Sequence, residues 1–276
     1  MAGAIVKHLI KIWVMLGLAF LALPLLVIVP LSFTSGQYMI YTPQMVALDP
    51  SAYSTKWYLE VIHDRDWILA LKNSLFIGVS AALLSSVLGT LAALGLSRVG
   101  TPMKSLWTAL ILMPQIVPIV VTAGGIYAAF SDLKLIGTYT GVIIAHTVLA
   151  APVAVITIRA SLERFDWSLV AASSTLGAGP LLTFRKVTLP LIRPAVIAGA
   201  IFAFATSLDE VVVIQFIGAY NQKTVPIQML IGLREHLSPA LLAVATILVC
   251  FAVLILILSE IMRRRSDAYA QNTRKA

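Results

Sequence analysis

The chain has 276 residues, 59% of them hydrophobic and only 12% charged, with a formal net charge of +8 and a mean hydropathy of +0.95. Soluble domains carry about 25% charged and about 45–50% apolar residues, so this composition excludes disorder, a coiled coil and most soluble enzymes, and makes lipid the solvent. One cysteine, Cys250, leaves no internal disulfide to form, and with four scattered histidines (His8, His63, His146, His236) it assembles no metal site.

A helix needs about 20 apolar residues to cross the hydrocarbon core. No charge occurs between Lys11 and Asp49, and Ile12–Phe33 is the first candidate span. Lys7 and Lys11 before it give the look of a signal peptide. The apolar core of such a peptide is only about 7–15 residues long and ends in a small-x-small cleavage site, which is missing here, so the run is predicted to be an anchor. The following stretch, Thr34–Trp67, is more polar, and its Trp57, Tyr58 and Trp67 suit a membrane–water interface. Further apolar runs are Ser74–Ser97, Leu106–Phe130, Thr140–Ile158, Pro194–Leu208 continuing to Ile217, and Pro239–Ser259, which makes six spans. Pro114 and Pro118 in the third span and Pro152 in the fourth release backbone carbonyls and bend helices.

The sequence therefore predicts an all-α membrane protein of six transmembrane helices with both termini cytoplasmic. In that orientation 14 Lys and Arg fall in inside segments and 6 in outside ones, as the positive-inside rule requires. The acidic residues do not share the bias. Topology and anionic headgroups account for the basic charge, and nucleic acid is not needed. Residues 1–33 are read as a cytoplasmic segment with the first span and 34–68 as an extracytoplasmic loop. Residues 69–262 form the core transmembrane domain, with 159–193 as its cytoplasmic connection. Residues 263–276 are a cytoplasmic tail, in which Arg263–Arg265 act as a positive stop.

The connection Arg159–Arg193 is 35 residues long and strongly patterned. Leu162, Phe165, Leu169 and Ala172 fall at helical spacing and predict one apolar stripe on a more polar helix. Gly177 suits the left-handed residue that stops this helix, and Pro180 can open a second at its first position. That second helix, roughly Leu181–Thr188, carries Arg185 and Lys186 and is predicted to end at Leu189–Pro190. From the residues alone, the two helices either dock a partner or brace the bundle.

The fifth span contains Asp209 and Glu210. Fifteen residues from Pro194 to Asp209 rise about 22 Å, which places the pair in the outer half of the span. Ionisable groups at such depth are costly and face a partner or a watery cavity. Neighbouring helical residues project about 100° apart, so one is predicted to line a path while the other pairs with a neighbour or caps the helix end. Tyr127, His146 and Gln215 either line that path or pack between helices.

No nucleotide chemistry is present. The closest approach to a P-loop, Gly95 to Gly100 followed by Thr101, lacks the lysine and sits at a helix end. Neither a His-Glu-x-x-His nor a Gly-x-Ser-x-Gly pattern occurs, and no catalytic residue is assigned. If ATP drives transport, another chain must bind it.

Ala171-Ala172-Ser173-Ser174-Thr175-Leu176-Gly177, with Val187-Thr188-Leu189-Pro190 downstream, resembles the "EAA" signature of bacterial ABC importer permeases. Ala171 stands where the family has glutamate and Ser173 where it has the second alanine, so the salt bridge or hydrogen bond expected from that glutamate must be missing or supplied elsewhere. Across Leu71–Met262, Asn73-Ser74-Leu75, Met113-Pro114 and Pro118 also resemble type I importer permeases. Ser207-Leu208-Asp209-Glu210-Val211-Val212-Val213, Thr224-Val225-Pro226 and Ser238-Pro239 look more narrowly like the second permease of spermidine/putrescine-type systems, which also handle opines and other amino-acid-derived solutes.

The resemblance implies a type I importer permease fold in the bacterial cytoplasmic (inner) membrane, with membrane lipid around it. It also implies a second permease subunit, two cytoplasmic ATPase subunits that hold the ATP and magnesium, and an extracytoplasmic solute-binding protein. No cofactor is implied on this chain. Ala171, Ala172, Ser173, Gly177, Arg185, Lys186, Leu189 and Pro190 would couple to the ATPase, and Asp209, Glu210, Ser207 and Tyr127 would line the path of a polyamine. The competing readings are a permease for an anion or an amino acid, and a stand-alone ion-coupled carrier or membrane enzyme in which Asp209 or Glu210 relays protons.

Overall fold

A computed structural model describes residues 2–98, 100–235, 237–255 and 257. Arg263–Arg265, the tail and the end of the last apolar run lie outside the described residues, as does His236. The described residues are helical apart from turns and one isolated bridge, Thr34 to Tyr53. Four helices are long and apolar enough to cross a membrane: Lys7–Leu31 (the apolar part of Ala2–Leu31), Arg65–Ser97, Tyr139–Leu162 and Pro180–Leu208. A fifth span results if Lys104–Ile116 and Ile119–Asp132, bent by 105° at Val117–Pro118, count as one. Ala240–Ile255 is a shorter apolar helix.

The bend sits at Pro118, not at Pro114. Pro114 lies inside the first helix of the pair, whereas Pro118 takes an extended conformation before the second. A proline pushes the residue before it out of the helical region, and Val117 has φ −72°, ψ 136°. The third apolar run is therefore two helices broken at Pro118.

The chain divides into two compact units. Residues up to Ile68 with Met229–Leu254 make one. In it the Trp57 indole N–H donates to the Thr34 carbonyl at 2.8 Å, and Trp57 packs against Ala240 and Ala243. Leu31, Met45 and Ala52 form a second small cluster with Leu242 against it. Between Lys7 and Pro30 the first helix has no buried side chain, so this chain leaves its apolar surface uncovered.

Leu69–Gln228 carries the larger core. Small residues let its helices approach closely, as expected where lipid removes the usual hydrophobic drive between helices. Ala82, Ala150 and Ala203 meet at the centre, one from each of three helices. A Cβ added at Gly89 would lie 2.8 Å from the Ala154 Cβ, and one at Gly199 would lie 3.4 Å from the Ala154 Cα. Beyond the acidic pair, residues 221–225 are pinned to the helices Arg65–Ser97 and Tyr139–Leu162. Asn73 donates to the Asn221 and Lys223 carbonyls at 2.9 Å each, Tyr139 donates to Asn73 at 2.8 Å, and the Val225 N–H donates to the Ser74 hydroxyl at 2.8 Å.

Candidate functional site

The connection 159–193 forms from local rules that the sequence showed only in part. Arg159 pairs with Glu163 at 3.3 Å as Tyr139–Leu162 ends. The Asp166 carboxylate then accepts the Ser168 N–H at 2.9 Å and restarts the chain as Ser168–Thr175. The predicted apolar stripe is cut by this turn. Leu162 is buried with Ala93, Ile158 and Ile192, and Phe165 packs against that cluster, whereas Leu169 and Ala172 are exposed on the next helix.

Gly177 does stop that helix in the left-handed region, at φ +81°. Its N–H donates to the Ser174 carbonyl and the Ala178 N–H to the Ser173 carbonyl, both at 3.0 Å. Those two bonds make a Schellman closure. Pro180 opens the second helix, as expected.

The end predicted at Leu189–Pro190 does not occur. A π-helical turn over Phe184–Thr188 carries the chain into Leu189–Leu208, and the Leu189 N–H reaches back to the Phe184 carbonyl. The wider turn accommodates a proline that can neither donate nor tolerate a close carbonyl. The base of the connection and the fifth apolar span are thus one helix, Pro180–Leu208.

The predicted coupling residues fall on two surfaces. Ala171, Ala172, Gly177, Arg185, Lys186 and Pro190 are exposed, while Ser173 and Leu189 are half-buried. Around the turn Leu176 is 88% and Leu181 70% exposed, which leaves apolar surface at the tip of the connection. Gly179, Pro180, Leu181, Leu182 and Arg185 line an open groove of about 370 Å³.

At the other end of the long helix, Leu208 is its last residue and Asp209 follows in a helical turn. The Glu210 carboxylate accepts the Val213 N–H at 2.8 Å and caps the short helix Val212–Ile217. Of the pair, Glu210 takes the capping role, and Asp209 is exposed.

Ser207 does not line an open surface. It is buried, and its hydroxyl lies 2.7 Å from His146 Nδ1. His146, fully buried on Tyr139–Leu162, belongs to the packing between the two helices. Tyr127 is exposed on Ile119–Asp132, and Gln215 is exposed on Val212–Ile217. Sequence reasoning missed Thr183 and Asp166, both of which act through hydrogen bonds that a periodicity argument does not register. Among the described residues no three His, Cys, Asp or Glu side chains gather to hold a metal.

Residues 85–268 match the family of binding-protein-dependent transport system inner membrane components. The chain is similar to the spermidine/putrescine transport system permease protein PotC of Haemophilus influenzae, 27% identical over 249 residues, covering 90% of this chain and 94% of that one. It is 32% identical over 241 residues to the putrescine transport system permease protein PotI of Escherichia coli, covering 85% and 83%. It is also 28% identical over 256 residues to the sulfate transport system permease protein CysT of Salmonella typhimurium, covering 87% and 88%. A crystal structure of a bacterial ABC transporter that imports the acidic polysaccharide alginate shares the fold, with a TM-score of 0.70 at 15% identity, covering 95% and 97%.

Proposed function

This chain belongs to the binding-protein-dependent transport system inner membrane components, a multi-pass permease subunit of an ATP-driven importer in the bacterial inner membrane, and from that premise we propose that its cargo is a polyamine or a related amino-acid-derived cation. The observation that carries the cargo reading is the open Asp209 carboxylate at the end of Pro180–Leu208, beside a Glu210 already committed to the backbone. A carboxylate on the path attracts a polycation and repels sulfate. The names of PotC and PotI support the same reading.

In this proposal the chain crosses the membrane six times with both termini inside, which the distribution of Lys and Arg supports. The bent pair Lys104–Ile116 and Ile119–Asp132 makes the third crossing, and the run opening with Ala240–Ile255 makes the sixth. Residues 159–193 then lie on the cytoplasmic side. Leu176, Leu181 and Leu182 enter a groove of an ATPase subunit, with Arg185 and Lys186 at the rim. A second permease completes the pathway, a second ATPase serves it, and an extracytoplasmic binding protein delivers the solute. ATP and magnesium stay on the ATPases.

The test is uptake by the complete transporter reconstituted in liposomes, with labelled putrescine, spermidine and sulfate offered in parallel. ATP-dependent polyamine uptake is expected, falling about tenfold in Asp209→Asn, the weight of ~1.4 kcal/mol. Sulfate uptake in place of polyamine uptake, or full polyamine uptake by Asp209→Asn, would overturn the cargo reading.

A further inference from the structure

The two helices of the connection are joined by one direct side-chain hydrogen bond among the described residues, Ser173 Oγ to Thr183 Oγ1 at 2.8 Å. The donor can be assigned. Ser173 spends its only hydroxyl proton on the Val170 carbonyl, at 2.9 Å, so the Thr183 O–H donates and Ser173 accepts. Thr183 is buried at 5% exposure, although its neighbours Leu181 and Leu182 are exposed. Ser173 carries two links at once. Its carbonyl closes the Schellman turn by accepting the Ala178 N–H at 3.0 Å, while its hydroxyl reaches across to the second helix. Thr183 in turn immediately precedes the π-helical turn Phe184–Thr188, which runs without a stop into Leu189–Leu208. The bond therefore connects the first helix of the connection to the base of the long helix whose far end carries Asp209.

Both departures from the signature fall here. Ala171, where the resemblance expects glutamate, is exposed and offers no polar side chain, and Ser173, where it expects alanine, supplies one. We infer that the Thr183–Ser173 hydrogen bond is the brace that makes the two-helix connection move as one body, supplying the polar link that an alanine at position 171 cannot make. Displacement of the exposed face at Leu176 then displaces Pro180–Leu208 directly, instead of flexing the glycine turn. Ser173 and Thr183 are positioning residues in this scheme. They touch neither nucleotide nor cargo.

This inference rests on the coupling reading above, and its test separates the two. The complete transporter is reconstituted with Ser173→Ala, Thr183→Val and the double variant, and solute moved per ATP hydrolysed is measured alongside recovery of the ATPase subunit. Thr183→Val is expected to keep its ATPase subunit and its ATP turnover, while solute moved per ATP falls about fivefold, the weight of one net hydrogen bond of ~1 kcal/mol, and Ser173→Ala should show the same fall in solute moved per ATP. The double variant should fall no further than either single one, and Thr183→Ser should restore the wild-type ratio, because it keeps the donor. Independent, multiplying losses, an unchanged ratio, loss of the ATPase subunit from Thr183→Val, or failure of Thr183→Ser to rescue would each overturn the brace. Failure of the unmodified chain to retain any ATPase subunit would instead overturn the coupling reading itself.

Discussion

Two interruptions bracket the helix Pro180–Leu208, and they are built in opposite ways. The turn at Gly177 depends on backbone conformation. It has a left-handed φ of +81° with nothing within 4 Å of where a Cβ would stand, two backbone bonds close it, and apolar side chains crowd its exposed rim. The break at Asp209–Val211 depends on side-chain charge, since a carboxylate caps the next helix while its neighbour stays open. In the proposed function the first interruption meets a protein surface and the second a charged solute. Substitutions should therefore respond to stereochemistry at one end and to charge at the other.

The largest effect is expected at Gly177. Space is open around it, so Gly177→Val meets only a backbone objection, about 1–2 kcal/mol for an L residue forced left-handed. With a β-branched side chain the turn should shift its register and misplace Leu176. Uptake is then expected to fall more than tenfold, with the ATPase subunit lost from the purified complex. Gly177→Asn should behave nearly as wild type, because asparagine visits this region readily. Equal damage from both substitutions would mean that side-chain volume, and not conformation, matters at this end.

A smaller effect is expected at the acidic break, and it should split. Asp209→Asn removes charge from an exposed side chain, so the melting temperature should hold while polyamine uptake drops. Glu210→Ala removes the acceptor for the Val213 N–H and should cost about 1 kcal/mol of stability, as other lost caps do. Glu210→Gln keeps an acceptor oxygen and should recover most of that loss. Thermal unfolding in detergent, read beside uptake, checks all three. A stability loss in Asp209→Asn as large as in Glu210→Ala would erase the division of roles between the two carboxylates.

The sequence made the left-handed stop at Gly177, the opening at Pro180 and the acidic interruption after Leu208 legible, because glycine, proline and a charge within an apolar run each act through the residue that carries them. The positions of the long apolar helices were legible too, though Arg65–Ser97 starts nine residues before the apolar run does. Two expectations failed for a common reason. The stripe from Leu162 to Ala172 is cut by the Asp166–Ser168 turn, and the stop at Leu189–Pro190 is absorbed by a π-helical turn. In both places a hydrogen bond between particular atoms overrides a periodicity or a propensity. Ser207 shows the same limit, since only its contact with His146 distinguishes a buried hydroxyl from one that lines a path.

The smallest effect separates the two interruptions by pH. Asp166, at the start of the connection, is held below the usual carboxylate range by the Ser168 hydroxyl and then by the Ser168 backbone N–H, both of which favour the charged form. A carboxylate with a lowered folded-state pKa stabilises the structure above its ordinary pKa and loses that contribution as pH falls through the folded value. The first turn of Ser168–Thr175 should thus hold unchanged from neutral pH down to about pH 4 and loosen only below it. Hydrogen-exchange protection of the peptide spanning residues 166–175 reads this directly, with intrinsic rates corrected for pH. Asp166→Asn keeps an oxygen for the Ser168 N–H but has no charge to lose, so its protection should stay flat over the same range. A parallel loss in wild type and Asp166→Asn would assign the acid response to the helix as a whole. A loss in wild type alone would make this turn the one charge-dependent step at an end of the long helix otherwise governed by stereochemistry.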